Sequence, residues 1–144
     1  MVDVHDKKTR SYNMSRIKSR DTKPEMAVRS VCHSLGLRFR LHDKNLPGRP
    51  DLVFRKHMIA IQVHGCYWHC HDCKYGRVTP KTNTEKWQLK RFANVARDVR
   101  TKRNLEDLGW RVLVIWECET RDLPKLASRI SNYFGVSNTF TPTG

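Results

Sequence analysis

Apolar positions along the 144 residues change period several times, and each change marks an element. Thr22-Lys23-Pro24-Glu25 carries a helix-start signal, with Thr22 as cap, Pro24 in the first turn and Glu25 reaching back in a capping box. Ala27, Val28, Val31 and Leu35 then form a helical stripe that Gly36 ends. Leu37, Phe39 and Leu41 alternate with Arg38, Arg40 and His42, the period of a half-exposed strand. After a loop over 45–50, residues 51–55 read as a second strand, with Asp51 and Val53 on one face and Leu52 and Phe54 on the other. Residues 58–64 read as a third, where Ile59, Ile61 and Val63 share one face and Gln62 and His64 the opposite one.

Residues 65–80 keep neither period and are rich in ligating side chains, so something other than secondary structure must hold them. A second capping box at Thr82-Asn83-Thr84-Glu85 opens a long helix that runs to Leu108-Gly109. Phe92, Val95 and Val99 are its expected buried stripe, and Asn94 and Asp98, four apart, stack on a common face beside it. Trp110 to Trp116 has only Arg111 as a polar member and reads as a buried strand. Asp122-Leu123-Pro124 starts a last helix with Leu126, Ile130 and Phe134 inward and Gly135 as its stop. Residues 1–20 form a basic arm in which Met14 and Ile17 are spaced for a short helix, and residues 136–144 read as a loose tail. The order predicts an α/β fold, a mixed central sheet flanked by helices, in a single domain over 1–144.

Charge adds a partner to this picture. With 28 Lys and Arg against 14 Asp and Glu, the formal net charge is +14 and the pI about 10.0. The excess is concentrated in residues 1–50 and 74–103, two arms around a nearly neutral centre, which favours a polyanion gripped along its backbone. Lys86, Lys90, Arg91 and Arg97 are the expected phosphate contacts of the second arm. No run of 18 or more apolar residues predicts a membrane span, and the N-terminus has no apolar signal core, so a cytoplasmic, membrane-free protein is expected. An odd number of cysteines, five, argues for metal ligation over a disulfide framework there.

The chemistry concentrates between residues 50 and 73. Asp51 at a strand start suits a hard cation such as magnesium, although a turn contact after Pro50 would also place an aspartate there. His64 shares a face with Gln62 and reads either as a site residue or as a neutral core histidine. Cys66, His71, Cys73 and the distant Cys118 make up four soft ligands of a closed structural zinc site. Cys70 and Cys73 also form a C-x-x-C pair, so an all-cysteine set of Cys66, Cys70, Cys73 and Cys118 is a second reading. Cys32 reads as a buried thiol, and Trp110 and Trp116 as core. Tyr67 and Trp68, beside a ligand-rich loop and a basic helix, are placed to meet a nucleobase.

A strand opening on Pro50-Asp51, followed by one with polar positions two apart, resembles the PD-(D/E)xK restriction-endonuclease-like core. The match departs at Gln62-Val63-His64, where that family has an acid, any residue and lysine. A sharper resemblance lies in Pro47-Gly48-Arg49-Pro50-Asp51, His64-Gly65-Cys66-Tyr67-Trp68-His69, Asn94 with Asp98, and Gly109-Trp110 through Trp116-Glu117-Cys118. With Asp3 to Lys7 and Asn13-Met14, these are similar to the very-short-patch-repair (Vsr) endonucleases over roughly residues 3–134.

That resemblance implies a sequence-context-dependent endonuclease. It would nick duplex DNA 5′ of the thymine in a T:G mismatch left by deamination of 5-methylcytosine. It implies Asp51 as magnesium ligand with the carbonyl of Val63; Glu25, His64 and Asp98 organising water; Asn94 in support; and His69 as general base in place of the missing lysine. It points to Cys66, His71, Cys73 and Cys118 for zinc, and to Tyr67 and Trp68 as a wedge, met from the opposite side by Met14. A monomer acting on mismatched DNA is expected, with other repair proteins as further partners. The competing readings are a magnesium-dependent endonuclease of restriction type and a non-catalytic, zinc-stabilised DNA-binding module.

Overall fold

The computed structural model describes residues 21–74, 76–77 and 84–141. The expectations for the basic arm, Met14 included, and for a cap at Thr82 lie outside these residues. Helix α1 (Lys23–Ser34) starts where the sequence places it, with Thr22 Oγ1 accepting from the Glu25 N–H at 3.4 Å. The carboxylate of Glu25 reaches back one residue further than a capping box requires, to the N–H of Asp21 at 2.7 Å.

Strands β1 (Arg40–Leu41), β2 (Leu52–Phe54), β3 (Ile59–His64) and β4 (Arg111–Trp116) form one sheet in the order β1-β2-β3-β4. The first two pairings are antiparallel and the last is parallel, with Ile59 opposite Arg111 and His64 opposite Trp116. A parallel pair needs a crossover, and helix α2 (Thr84–Asp107) lies within it. A 3-10 turn (Glu117–Arg121) leads into helix α3 (Leu123–Phe134), capped by Asp122 and closed by Gly135 at φ 69°. Among the described residues this is the expected α/β arrangement of a mixed sheet and three helices. No described helix is long and apolar enough to cross a membrane.

Alternation along the strands gives the sheet two different faces. Leu52, Phe54, Ile59, Ile61, Leu113 and Ile115 point to the side where α1 and α3 add Val28, Val31, Leu126, Ile130 and Phe134, which makes the main core. The other face holds a small cluster of Val53, Ala60 and Trp110 under Leu105 of α2. Beyond that cluster the same face continues as Gln62, His64, Val112, Val114 and Trp116, and opens into a cleft.

Several expectations change for this reason. Phe92 and Val99 are 60% and 57% exposed instead of buried, and Val95 is half-buried. All three line the cleft. The buried residues of α2 are Arg91 and Leu105, with Asp98 midway; positions seven apart share a face, and Phe92 and Val99 sit about a quarter turn away from it. In β4 only Leu113 and Ile115 are buried, and Trp116, expected in the core, is half-buried at the cleft, while Trp110 is buried as expected. The strand read over 37–42 pairs only at Arg40 and Leu41; Leu37 is buried and Leu41 exposed. The described residues after α3, up to 141, have no helix or strand. Val136 and Phe140 pack on the core, and Thr139 Oγ1 donates to the Ser34 carbonyl at 2.6 Å.

Candidate functional site

Five of the expected polar residues, Glu25, Asp51, His64, His69 and Asp98, and one unexpected histidine, His42, meet in a cleft of about 950 Å³ over the open face of the sheet. Glu25 comes from the first turn of α1, and Asp51 stands just before β2. The Pro47-to-Pro50 loop that delivers Asp51 passes so close to α2 that a Cβ on Gly48 would lie 2.3 Å from the Thr101 side chain. Gly48 is also at φ 70°, so glycine is required there twice over. One Asp51 oxygen accepts the Val63 N–H at 2.7 Å, pinning the carboxylate to β3. The other faces His42 Nε2 at 3.8 Å, and that nitrogen lies 3.6 Å from Glu25 Oε2.

His64 ends β3, His69 comes from the loop that follows, and Asp98 comes from α2. Loop residues 65–74 are wound by their own backbone bonds, His69 N–H to Gly65 carbonyl at 3.2 Å and His71 N–H to Cys66 carbonyl at 2.9 Å. The winding turns the His69 ring flat onto His64, 4.0 Å between centroids. Asp98 Oδ2 then lies 2.5 Å from His69 Nδ1, and its Oδ1 lies 3.8 Å from His64 Nε2. Against an ionised Asp98, which only accepts, Nδ1 must carry the hydrogen, and a neutral ring then has its lone pair on Nε2.

Burial shifts both halves of this site. It pushes the Asp51 carboxyl up to about 6; the Val63 N–H pulls against that, and the charge of Glu25 adds to it. Burial and the facing His69 push His64 down to about 4, against the pull of Asp98, so His64 is neutral at physiological pH. The exposed cations Lys44, Arg49, Arg97 and Lys102 line the same cleft.

Next to the histidine pair, Cys66, His71, Cys73 and Cys118 bring their ligating atoms within 4.8 Å of one another. The fourth ligand arrives because β4 runs parallel to β3, which places Cys118 two residues beyond the partner of His64. Cys118 Sγ and His71 Nδ1 are 3.6 Å apart; two ligands on a tetrahedral zinc, at about 2.3 Å for sulfur and about 2.0–2.1 Å for nitrogen, lie about 3.5–3.6 Å apart. Burial pushes the Cys66 thiol up to about 12 and raises Cys118 too, so these thiols are protonated until a cation replaces the proton. Cys70 is outside the cluster, at φ 54°, and Cys32 is a core thiol pushed by burial to about 12. Trp116 stacks on His71 at 4.1 Å and meets His64 edge-on at 5.3 Å, so one ring separates the two groups.

Tyr67 and Trp68 differ in exposure. Tyr67 is half-buried beneath the Arg91 guanidinium, which sits 4.5 Å from its ring centre and donates to the Tyr67 carbonyl at 2.7 Å and to the Gly76 carbonyl. Arg91 is buried in this role, not free for phosphates as expected. Trp68 is 41% exposed, rests on Trp87 at 5.5 Å, and has its carbonyl held by Asn94 Nδ2 at 3.1 Å. Asn94 thus holds the aromatic loop, while Asp98 one turn later holds His69. The sequence alone does not single out His42 and Trp87. His42 has the look of a polar position in an alternating strand, and its φ of 46° breaks that alternation. Trp87, three residues into a basic helix, gives no periodic signal.

Comparisons with known proteins bear on the fold and on the family. A homing endonuclease catalytic domain, I-Bth0305I, superposes with a TM-score of 0.54 over 80% of this chain and 96% of its own, at 23% identity, a likeness of fold. The chain is 47% identical over 137 residues to the type II nicking enzyme V.XorIIP of Xanthomonas oryzae, covering 95% of this chain and all of that one. It is 49% identical over 126 residues to the DNA mismatch endonuclease Vsr of Escherichia coli, covering 88% of this chain and 80% of that one. The family described as DNA mismatch endonuclease Vsr matches residues 2–75, which include Glu25, Asp51, His64, His69 and three of the four zinc-type ligands. With a nuclease-like sheet, an acid cluster and a histidine–aspartate pair in one basic cleft, the chain belongs to the Vsr family of DNA mismatch endonucleases.

Proposed function

We propose that this endonuclease nicks one strand of duplex DNA 5′ of the thymine in a T:G mismatch, within a preferred sequence context, in very short patch repair of deaminated 5-methylcytosine. The observation that carries the reading is the His69–Asp98 bond beside Asp51 and Glu25 in a single cleft. A relative named a mismatch endonuclease and another named a nicking enzyme support the substrate and the single-strand outcome.

Glu25 and Asp51 suit a hard divalent ion, because two carboxylates share one corner in which burial, with the charge of Glu25, raises Asp51. Asp51 and the Val63 carbonyl would hold magnesium, which when bound supplies positive charge to the phosphate and makes water more acidic. His69 takes the proton of the attacking water on Nε2 while Asp98 neutralises the imidazolium that results. Neutral His64, flat against His69, offers hydrogen bonds without adding a second charge. Water forms the new bond to phosphorus, and the bond to the leaving sugar oxygen breaks. Cys66, His71, Cys73 and Cys118 would hold a structural zinc that fixes the loop carrying His69 and Trp68. Trp68, backed by Tyr67 and Trp87 and met by Met14 from the arm, wedges the base step, which costs least at a mismatch.

End-labelled T:G, T:A and C:G duplexes in a panel of flanking contexts test this with magnesium present. Nicking at T:G about 100-fold faster than at matched pairs is the expected result. Equal nicking of matched duplexes would replace it with a sequence-specific nicking enzyme. Binding without any cleavage would leave a DNA-binding module.

A further inference from the structure

His42 is the group that the proposed reaction does not use. Its Nε2 is buried without a hydrogen-bond partner, yet it faces Glu25 Oε2 at 3.6 Å and Asp51 Oδ1 at 3.8 Å. Both distances are too long for a hydrogen bond, whose donor and acceptor lie about 2.7–3.2 Å apart. They suit two ligands of one ion: atoms each about 2.1 Å from a cation lie about 3.0 to 4.2 Å apart as the angle between them opens from a right angle to a line. The backbone is bent to bring the ring there. His42 ends β1 in the left-handed region at φ 46°, with its N–H still reaching the Asp51 carbonyl at 3.4 Å. A bulky residue at positive φ is uncommon, and the turn redirects a side chain that the strand alternation would have continued.

We propose that His42 is a metal ligand, and that with Glu25 and Asp51 it forms a mixed nitrogen–oxygen site that takes manganese in preference to magnesium. The inference rests on the reading of Asp51 as a metal ligand. Magnesium binds oxygen donors and gives up its waters reluctantly, whereas manganese, which shares those oxygen donors, exchanges a water for an imidazole more readily. The third donor therefore changes which ion the cleft selects. Carboxylates are engaged in both clusters, Asp98 by two rings and Glu25 Oε2 by the Asp21 N–H at 2.7 Å and by Arg29 at 3.3 Å, but of the two only the Glu25–His42–Asp51 corner holds a buried, partnerless nitrogen.

The experiment measures Mn²⁺ binding by the electron paramagnetic resonance of the free ion, and Mg²⁺ by competition, on protein carrying its zinc. The wild type should bind Mn²⁺ at least about tenfold more tightly than Mg²⁺, and His42→Gln should lose most of that ratio through Mn²⁺ alone. Spin-echo modulation from a histidine nitrogen should appear on Mn²⁺ bound to the wild type, persist in His64→Asn and vanish in His42→Gln. Equal weakening of both ions in His42→Gln, or no nitrogen modulation in the wild type, overturns the assignment without needing the variant to fold perfectly. Asp51→Asn separates the two assignments. If it retains Mn²⁺ binding, the reading of Asp51 fails. If it loses binding while His42→Gln changes nothing, only the assignment of His42 fails.

Discussion

The imidazole of His64 lies flat on that of His69, 5° from parallel, and Asp98 offers one carboxylate oxygen to each ring. Two stacked imidazoles at 4.0 Å resist carrying two charges, which with burial holds His64 down to about 4. Asparagine at 98 keeps the shape but loses the charge that favours the imidazolium. Asp98→Asn should slow single-turnover nicking by about 10²-fold or more, within the usual range for general-base catalysis, with duplex affinity within a few-fold. A wild-type rate would remove His69 from the role of base.

Acid stability of the magnesium-free protein should separate the two clusters. His64 is lowered from 6.5 to about 4, so the unfolded chain takes its proton first and stability falls as pH drops below about 6.5. Asp51 is raised from 3.8 to about 6, so the folded chain takes its proton first and stability rises as pH drops below about 6. Between pH 7 and 5 each effect is about 1–2 kcal/mol, and they oppose each other. His64→Asn should therefore lose less stability than the wild type over that interval, and Asp51→Asn more. Urea midpoints at the two pH values give the comparison, and identical pH slopes in all three proteins would contradict it.

Removing a zinc-type ligand should cost far more than removing its neighbour. Cys118→Ala is expected to lose bound zinc and several kcal/mol of stability, or to fail to fold, because a structural zinc contributes directly to folding. Cys70→Ala should keep one zinc per chain and a near-wild-type melting temperature, since Cys70 is outside the cluster. Metal analysis of the two purified proteins decides between the quartet and the all-cysteine set.

Recognition should divide between ring and charge. Trp68→Ala is expected to erode the preference for T:G over T:A while barely moving the salt dependence of binding. Neutralising Lys44, Arg49, Arg97 and Lys102 should weaken all duplexes alike and flatten log K against log salt by about 0.9 for each phosphate that is no longer neutralised. Equal loss of T:G and T:A affinity in Trp68→Ala would dismiss the wedge.

Local rules carry most of the fold. Thr22, Asp122, Pro24, Pro124 and Gly135 act where their chemistry places them, and the alternation through Leu52–Phe54 and Ile59–His64 sorts the two faces of the sheet. Those rules fail at α2, where inside and outside are not set by hydrophobicity. Its inward line contains Arg91, Asn94 and Asp98 because it faces the carbonyls of Tyr67, Trp68 and Gly76 and the ring of His69, while Phe92 and Val99 look like core and line the cleft's wall. Trp116 leaves the core for that wall too. The acid cluster is two-thirds legible, since Glu25 and Asp51 have motif neighbours; His42 joins them only through a left-handed turn that no sequence period announces.

Helix α2 is about 36 Å long, and its burial is confined to Arg91 and Leu105. Asp98 stands seven residues from each, at midspan, between Asn94 on the Trp68 carbonyl and Thr101 against Gly48. Buried apolar contact is scarce at that centre, so these few contacts hold it. DNA pressing on the wall of Phe92, Val95 and Val99 would push at that centre. The stiffness of one helix thus sets how firmly Asp98 is held against His69, and substitutions at these contacts would be felt in the rate before they were felt in the fold.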